Sequence, residues 1–157
     1  MYPVNTSWTK RGHDTTKIPE WIREHIDDAF PQNVCLVTTV SDDDMSSIGP
    51  KGNVLVYDDE TMTYWERAMR GTWDNLKSNP RVTIFFRNPA LRENGLFPGG
   101  GATRFWDTAE IHEDGSTRET VWDKVVQTEK DRDPDKKGVA ILVKVTRTEH
   151  LNNNPLE

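Results

Sequence analysis

The fold of this chain is decided by residues 45–89, which read MSSIGPKGNVLVYDDETMTYWERAMRGTWDNLKSNPRVTIFFRNP. Four short segments of this stretch are rich in β-branched, aromatic or small residues and predict strands: 46–48, 53–57, 62–66 and 82–86. Trp73 and Leu76, followed by Asn79-Pro80, predict a helix of roughly two or three turns between the last two strands. Small, hydroxyl-bearing and cationic side chains gather at the joints between these elements. We therefore expect the joints to hold a ligand.

Length and composition indicate one compact domain. A chain of 157 residues has single-domain size, and 34% hydrophobic against 29% charged residues concentrates the apolar positions in strands. The net charge of −6 argues against general nucleic-acid binding, which needs a basic surface. No apolar run approaches the roughly 18 residues of a membrane span, and no leader pattern follows Met1. The single cysteine fits a reducing compartment, so we expect a cytoplasmic protein.

The rest of the chain supplies the remaining strands and two further helices. Residues 1–17 are polar and aperiodic, which predicts an arm of a single domain that spans residues 1–157. The patterns predict helices over 19–30 and 117–130, strands over 33–40, 102–112 and 139–145, and an irregular connection over 88–101. Six or seven strands, three helices and hairpin-length turns exclude a βαβ parallel sheet. They favour a mainly β, antiparallel barrel with flanking helices.

One joint combines cations and hydrogen-bond donors at the start of the second predicted helix. Arg67, Arg70, Thr72 and Asn75 supply two guanidinium groups, a hydroxyl and an amide, beside backbone amides that already favour an anion. These groups could form a phosphate cradle. The alternative is that Thr72 caps the helix while both arginines are solvated. The spacing alone does not decide between them.

The other joint is Gly49-Pro50-Lys51-Gly52. Its glycines could let the backbone approach a flat ring, and Lys51 could place an ammonium beside the electron-accepting edge of a flavin. The alternative is a tight bend that carries a surface lysine.

Five motifs cover most of the chain from about Asn33 onward: IGPKGNVLVYDDETMTYWER, RGTWDNLKSNPRVTIFFRNP, RFWDTAEIHEDGSTRETVWDKVV, EKDRDPDKKG and VAILVKVTRTEHL. Together they resemble the FMN-binding split-barrel proteins related to pyridoxamine 5'-phosphate oxidase. The resemblance implies an antiparallel Greek-key split β-barrel and a homodimer that holds FMN in clefts between its subunits. It also implies FMN-dependent oxidoreductase activity on a small organic molecule.

The resemblance assigns the phosphate of FMN to the first joint. Thr72 and Asn75 would hold the phosphate, and Arg67 and Arg70 would be the nearby cations. Many members of the family have a lysine directly before the threonine, but Gly71 stands at that position here. One of the two arginines would have to replace the missing charge.

The resemblance assigns the flavin ring to the second joint. Ser47, Gly49, Pro50 and Lys51 would lie beside the ring, and the positive charge of Lys51 would stabilise the reduced, anionic form. Trp106 lies on a later strand that the family places near the partner's cleft, where it would touch cofactor or substrate.

Two departures from the family limit the functional prediction. Pyridoxamine phosphate oxidases carry an Arg-x-Val-Leu-Leu-Lys run and a C-terminal arginine and histidine segment for the substrate phosphate, and neither occurs here. The tail reads LNNNP at 151–155. The vitamin activity is therefore rejected, the substrate is unidentified, and no residue is a convincing general acid or base. The alternatives are a deazaflavin- or haem-binding split barrel, a flavin carrier or sensor without turnover, and a dimerisation module that has lost its ligand.

The remaining candidates predict structure rather than chemistry. The four histidines lack metal-ligand spacing, so no metal site is expected; they are His13, His25, His112 and His150. Cys35 lies in an apolar strand and is expected to be an inert core thiol. Trp73 and Trp122 lie on helix faces, where packing is expected.

Overall fold

The computed structural model describes residues 15–97 and 100–157. Predictions for residues 1–14, including His13, and for Pro98 and Gly99 lie outside this part of the chain. Within it, seven strands form one antiparallel sheet: β1 (Leu36–Val40), β2 (Ser46–Pro50), β3 (Leu55–Asp58), β4 (Thr61–Glu66), β5 (Arg81–Arg87), β6 (Ala102–His112) and β7 (Val139–His150). Their order across the sheet is β2-β1-β5-β6-β7-β4-β3. The predicted mainly β, antiparallel architecture is confirmed.

Five helices accompany the sheet in the described residues: α1 (Glu20–Asp27), α2 (Thr72–Ser78), α3 (Pro89–Glu93), α4 (Gly115–Lys124) and α5 (Gln127–Asp131). This corrects the predicted number of three. Helix α3 lies inside the connection that was expected to be irregular. It begins at Pro89, where a missing amide hydrogen costs nothing, and Asn88 Oδ1 accepts a hydrogen bond from the amide of Ala90 at 3.1 Å.

The fifth helix arises because the helix predicted over 117–130 is broken. Val125 and Val126 are extended, with ψ of 139° and 149°, so α4 ends and α5 begins there. The amide of Val126 donates to Asn53 Oδ1 at 2.7 Å, and Asn53 is 5% exposed. This contact ties the break to the bend between β2 and β3. Helical periodicity could not reveal it, because the two residues are 73 positions apart.

Helices cover both faces of the sheet. Helices α1 and α2 bury Ile22, Ile26, Trp73 and Leu76 in the main core, against the inward side chains of the strands. A second cluster contains Val121 and Val125 from the α4 segment together with Trp65 from β4 and Ala140 and Leu142 from β7. The sheet is therefore a layer between two apolar clusters, as amphipathic strands and helices require.

Three aromatic and thiol predictions are confirmed by this packing. Trp73 is 5% exposed in the main core. Trp122 packs on Trp65 with ring centroids 4.8 Å apart. Cys35 is 1% exposed, and burial, with a smaller contribution from the charge of Asp107, raises the pKa of its thiol to about 12.

No helix in the described part of the chain is both long enough and apolar enough to cross a membrane. The compartment stays a prediction.

Candidate functional site

The β1–β2 pair positions the residues expected beside a ring. Ser47 lies opposite Thr39, Gly49 opposite Val37, and Pro50 opposite Leu36. Gly49 needs no positive φ, and a Cβ added there would meet nothing within 4 Å. There is consequently open space beside this edge strand at Gly49.

Helix α2 brings Asn75 to the same strand pair. Asn75 Nδ2 donates to Thr39 Oγ1 at 2.9 Å, and Thr39 is 1% exposed. Because Ser47 pairs with Thr39, Asn75 and Ser47 lie at the same end of β1 and β2. Thr72 is the first residue of α2 and is half-buried. It therefore lies one helical turn before Asn75.

Gly71 occupies the N-cap position of α2, and no side chain caps the helix. The alternative in which Thr72 is the cap is therefore wrong. Gly71 has φ of +57° and ψ of −96°, a conformation that L side chains rarely adopt. The path of the chain into α2 thus explains why a lysine does not stand at this position.

Lys51 is paired and largely covered. Its Nζ lies 2.6 Å from Glu66 Oε2, with the side chains 17% and 3% exposed, and 5.3 Å from the centroid of the Tyr64 ring. The alternative of a surface lysine is therefore wrong. Burial, and secondly the charge of Glu66, raise the pKa of the Tyr64 hydroxyl. The positive charge of Lys51 would act on a bound ring together with the negative charge of Glu66. Sequence reasoning missed Glu66, although it directly precedes Arg67.

Arg67 lies with α5 rather than with Asn75. Its Nε is 3.8 Å from Glu129 Oε2, and Arg132 Nη1 lies 3.0 Å from Glu129 Oε1. Glu129 is 6% exposed and faces the bend at Gly52, where an added Cβ would come within 2.9 Å of Oε1. Sequence reasoning missed both Glu129 and Arg132, because they lie near the bend only as a result of the break between α4 and α5.

The residues that were expected to bind the phosphate together lie at two different ends of β1. The amide of Lys51 donates to the Cys35 carbonyl at 2.9 Å, which places the bend at the start of β1. Asn75 contacts Thr39, four residues later, or about 13 Å along an extended strand. Arg70 lies in the turn before α2, is exposed, and makes no ion pair within the described residues. No hydrogen bond among those residues joins the arginines to Thr72 or Asn75.

Trp106 lies on the outward face of the sheet. It pairs with Thr83, which pairs with Thr38, which pairs with Ile48. Residues directly opposite in neighbouring strands share a face, so the four side chains form one transverse row. Three strand spacings, about 14 Å, separate Trp106 from β2. A single subunit therefore does not bring Trp106 into contact with Ser47 or Gly49.

A buried carboxylate organises the surroundings of Trp106. Glu149 is 4% exposed and accepts a hydrogen bond from Trp106 Nε1 at 3.1 Å. Its carboxylate lies 2.7 Å from Arg147 Nη2 and 3.2 Å from Arg104 Nη2, and Arg147 stacks 4.8 Å from the Trp106 ring centroid. Burial acts to raise the pKa of Glu149, but the hydrogen bonds from Arg147 and Trp106 and the charges of both arginines hold it below its usual value. Alternation along β6 and β7 was the signal that could have grouped these residues.

The antiparallel strand order and the relatives described below define the fold as a split β-barrel. The sequence profile of the pyridoxamine 5'-phosphate oxidase family matches residues 22–152. The chain belongs to that family. No curated protein gives a significant match.

Several solved structures share the fold. A pyridoxamine 5'-phosphate oxidase-like protein of Lactobacillus delbrueckii is 23% identical, with a TM-score of 0.63 over 87% of this chain and 96% of that one. An FMN-binding protein of Syntrophomonas wolfei is 13% identical, with a TM-score of 0.64 over 86% and 85%. HutZ, the haem storage protein of Vibrio cholerae, is 15% identical, with a TM-score of 0.57 over 83% and 93%. At these identities the similarity establishes the fold alone.

Proposed function

We propose that this protein is an FMN-dependent oxidoreductase that acts on a small organic molecule. The observation that carries the proposal is the family match over residues 22–152. The FMN-binding protein of Syntrophomonas wolfei, which has the same fold, supports the choice of cofactor.

The residues of both joints fit such a cofactor. The open space at Gly49 leaves room for a flat ring beside β2, next to Ser47, Pro50 and Lys51. Arg70 is a cation without an ion pair in the described residues, and Thr72 follows it at the start of α2. These two residues would hold the phosphate, with Asn75 one turn further on. When bound, the flavin supplies hydride or single-electron transfer, while the protein orients it and excludes water.

A homodimer would complete the site. The outward side chains of β1 and β5 are half-exposed, and Ile48 on the neighbouring edge strand is 64% exposed. A second copy packed on this face would bury the row from Ile48 to Trp106. It would also bring a partner's Trp106 towards the cleft that one subunit alone leaves incomplete.

The test is a visible absorption spectrum of the purified protein, followed by mass identification of whatever denaturation releases. We expect the spectrum of a flavin and the mass of FMN. A colourless protein that takes up no added FMN would overturn the proposal. Release of haem or of a deazaflavin would replace FMN by the corresponding cofactor.

A second candidate is a flavin carrier or sensor without turnover. The observation in its favour is that Lys51 pairs with Glu66 and Arg67 with Glu129. Because these ionisable groups are engaged in ion pairs, they are not poised to transfer a proton to or from a substrate. The two functions differ in electron transfer. Reduction of the bound flavin by NADH or NADPH and reoxidation by an acceptor at catalytic rates support the oxidoreductase, and the absence of both supports the carrier.

A further inference from the structure

The inward face of β2 leads from the open space at Gly49 to a buried ion pair. Gly49 lies opposite Val37, and the amide of Lys51 donates to the Cys35 carbonyl at 2.9 Å, so the pairing continues by one more step. Both Val37 and Cys35 are buried in the main core. Alternate residues of an extended strand share a face, which puts the Lys51 side chain on the same face as the open space. Two residues, about 7 Å along such a strand, separate Lys51 from Gly49.

The ion pair that Lys51 forms on this face is poorly screened by solvent. Its Nζ lies 2.6 Å from Oε2 of Glu66, whose side chain is only 3% exposed, and Lys51 is the one ion-pair partner of Glu66 within the described residues. The Tyr64 ring packs against the same ammonium, at 5.3 Å from its centroid. The Tyr64 hydroxyl is buried, and no described residue offers it a hydrogen bond. Water screens buried charges much less than exposed ones, so both charges of the pair act on whatever occupies the open space.

The two charges oppose each other in their effect on a flavin. Reduction adds negative charge to the ring, and a cation beside the ring stabilises that charge. Lys51 alone would therefore favour the reduced form. The carboxylate of Glu66 has the opposite effect, and at 2.6 Å from the ammonium it cancels most of the field of Lys51.

We infer that Glu66 tunes the redox potential of the bound flavin, because it neutralises Lys51 and so withholds a positive charge from the reduced ring. The inference rests on the proposed function, which places a flavin ring beside β2. Glu66 acts through Lys51, so its role is to tune the cofactor rather than to react with a substrate. As a consequence, the reduced flavin gives up its electrons more readily than it would beside an unpaired lysine.

The experiment measures the ratio of the affinities for reduced and oxidised FMN, from the redox potential of the bound flavin and a fluorescence titration with oxidised FMN. Glu66→Gln removes the charge, while its amide oxygen can still accept a hydrogen bond from Lys51. We expect the ratio to rise roughly tenfold, which is about 30 mV for a two-electron couple. A role in packing alone would change both affinities equally and leave the ratio as it is, and that result would overturn the inference.

The matched control is Glu110→Gln. It makes the same charge change at a carboxylate that is 49% exposed and lies 3.9 Å from Lys144 Nζ. We expect this variant to change the ratio less than twofold. An equal rise in Glu66→Gln and Glu110→Gln would attribute the effect to net charge and contradict the inference.

Two further variants test whether the effect passes through Lys51. In the double variant Lys51→Met with Glu66→Gln, both charges are absent, and the ratio should return to within threefold of the wild type. Lys51→Met alone, measured at pH 8, should lower the ratio at least threefold, because it leaves the charge of Glu66 unopposed. A rise that persists in the double variant, or a Lys51→Met ratio that does not fall, would overturn the inference.

These outcomes separate the inference from the proposed function. If the wild type and the variants bind FMN but the ratio does not change as described, the inference fails and the proposed cofactor stands. If neither the wild type nor any variant binds a flavin, the proposed function fails and the inference fails with it.

Discussion

Asp107 is an acidic residue in an environment that does not favour a charged side chain. It is 5% exposed, lies between Val82 and Val145 in the sheet, and neither carboxyl oxygen has a hydrogen-bond partner in the described part of the chain. Burial raises its pKa well above the usual value. Its charge would also fall near the buried Cys35 thiol, whose pKa it helps to raise. The core therefore favours the neutral acid.

The consequence for stability follows from the direction of this shift. The folded-state pKa of Asp107 lies above that of the unfolded chain, about 3.9, so the folded state holds the proton more tightly. This contribution to stability is complete below the unfolded pKa and is lost as the pH rises through the folded pKa. We expect Asp107→Asn to be more stable than the wild type by about 1–3 kcal/mol at neutral pH.

Urea unfolding measured between about pH 4 and pH 8 tests the prediction for Asp107. The Asp107→Asn variant should lose less stability than the wild type as the pH rises through this range. The exposed Asp131→Asn serves as control and should follow the wild type. If Asp107→Asn is instead less stable at neutral pH, with an unchanged pH slope, the carboxylate is stabilised by something other than the described residues.

At the scale of the elements, the turn into α2 and the strand β2 use glycine for different reasons. Gly71 has φ of +57°, whereas Gly49 lies in a strand with open space at its Cβ position. The first glycine is required by the backbone of the turn. The second is not required by the chain itself, and the space beside it is available to a ligand.

Matched alanine substitutions separate these two roles. Gly71→Ala should lower the free energy of unfolding by about 1–3 kcal/mol, because the side chain forces a strained conformation. Gly49→Ala should leave unfolding nearly unchanged and weaken flavin binding at least threefold, because its methyl group enters the ligand space. Urea unfolding and flavin titration of both variants provide the comparison. A stability loss in Gly49→Ala without any change in affinity would argue against a ring beside β2.

Across the whole molecule, the outward face of the sheet is covered by a helix on one side of the barrel and is left uncovered on the other. Helix α4 contacts β4, β6 and β7, while Leu36, Thr38, Thr83 and Phe85 on β1 and β5 are half-exposed. Ile48 adds an apolar side chain at the edge. Apolar side chains left uncovered together are typical of a surface that associates, which supports the proposed homodimer.

The dimer is tested by one substitution on this face. Ile48→Lys should weaken the dimer at least tenfold in sedimentation velocity, because a charge would be buried between the subunits. Its melting temperature should stay close to that of the wild type at concentrations where both are monomeric, because Ile48 is 64% exposed within one chain. Leu96→Lys, in the loop after α3 and 44% exposed, is the matched control and should dimerise normally. A wild type that stays monomeric at all concentrations would refute the proposed dimer.

The sequence by itself determined the strands and the antiparallel class, because alternation, β-branched runs and turn residues are local signals, and its motifs carried the resemblance to the family. The 102–112 strand was predicted with the bounds that the structure shows. The order of the strands in the sheet is not a local signal, because it depends on pairings such as that of β4 with β7, which lie far apart in the chain. The packing roles of Trp73 and Cys35 were also predictable, since both lie in apolar patterns.

Tertiary structure alone decided which charges meet. Lys51 and Arg67 were chosen for a ligand from their types and positions, but their carboxylate partners Glu66 and Glu129 are recognisable only in the folded chain. The helix break at Val126, made by the contact with Asn53, carries Glu129 to the bend. Residue types can be read from a sequence, whereas the pairing of charges depends on distances of a few ångströms between segments that only the fold brings together.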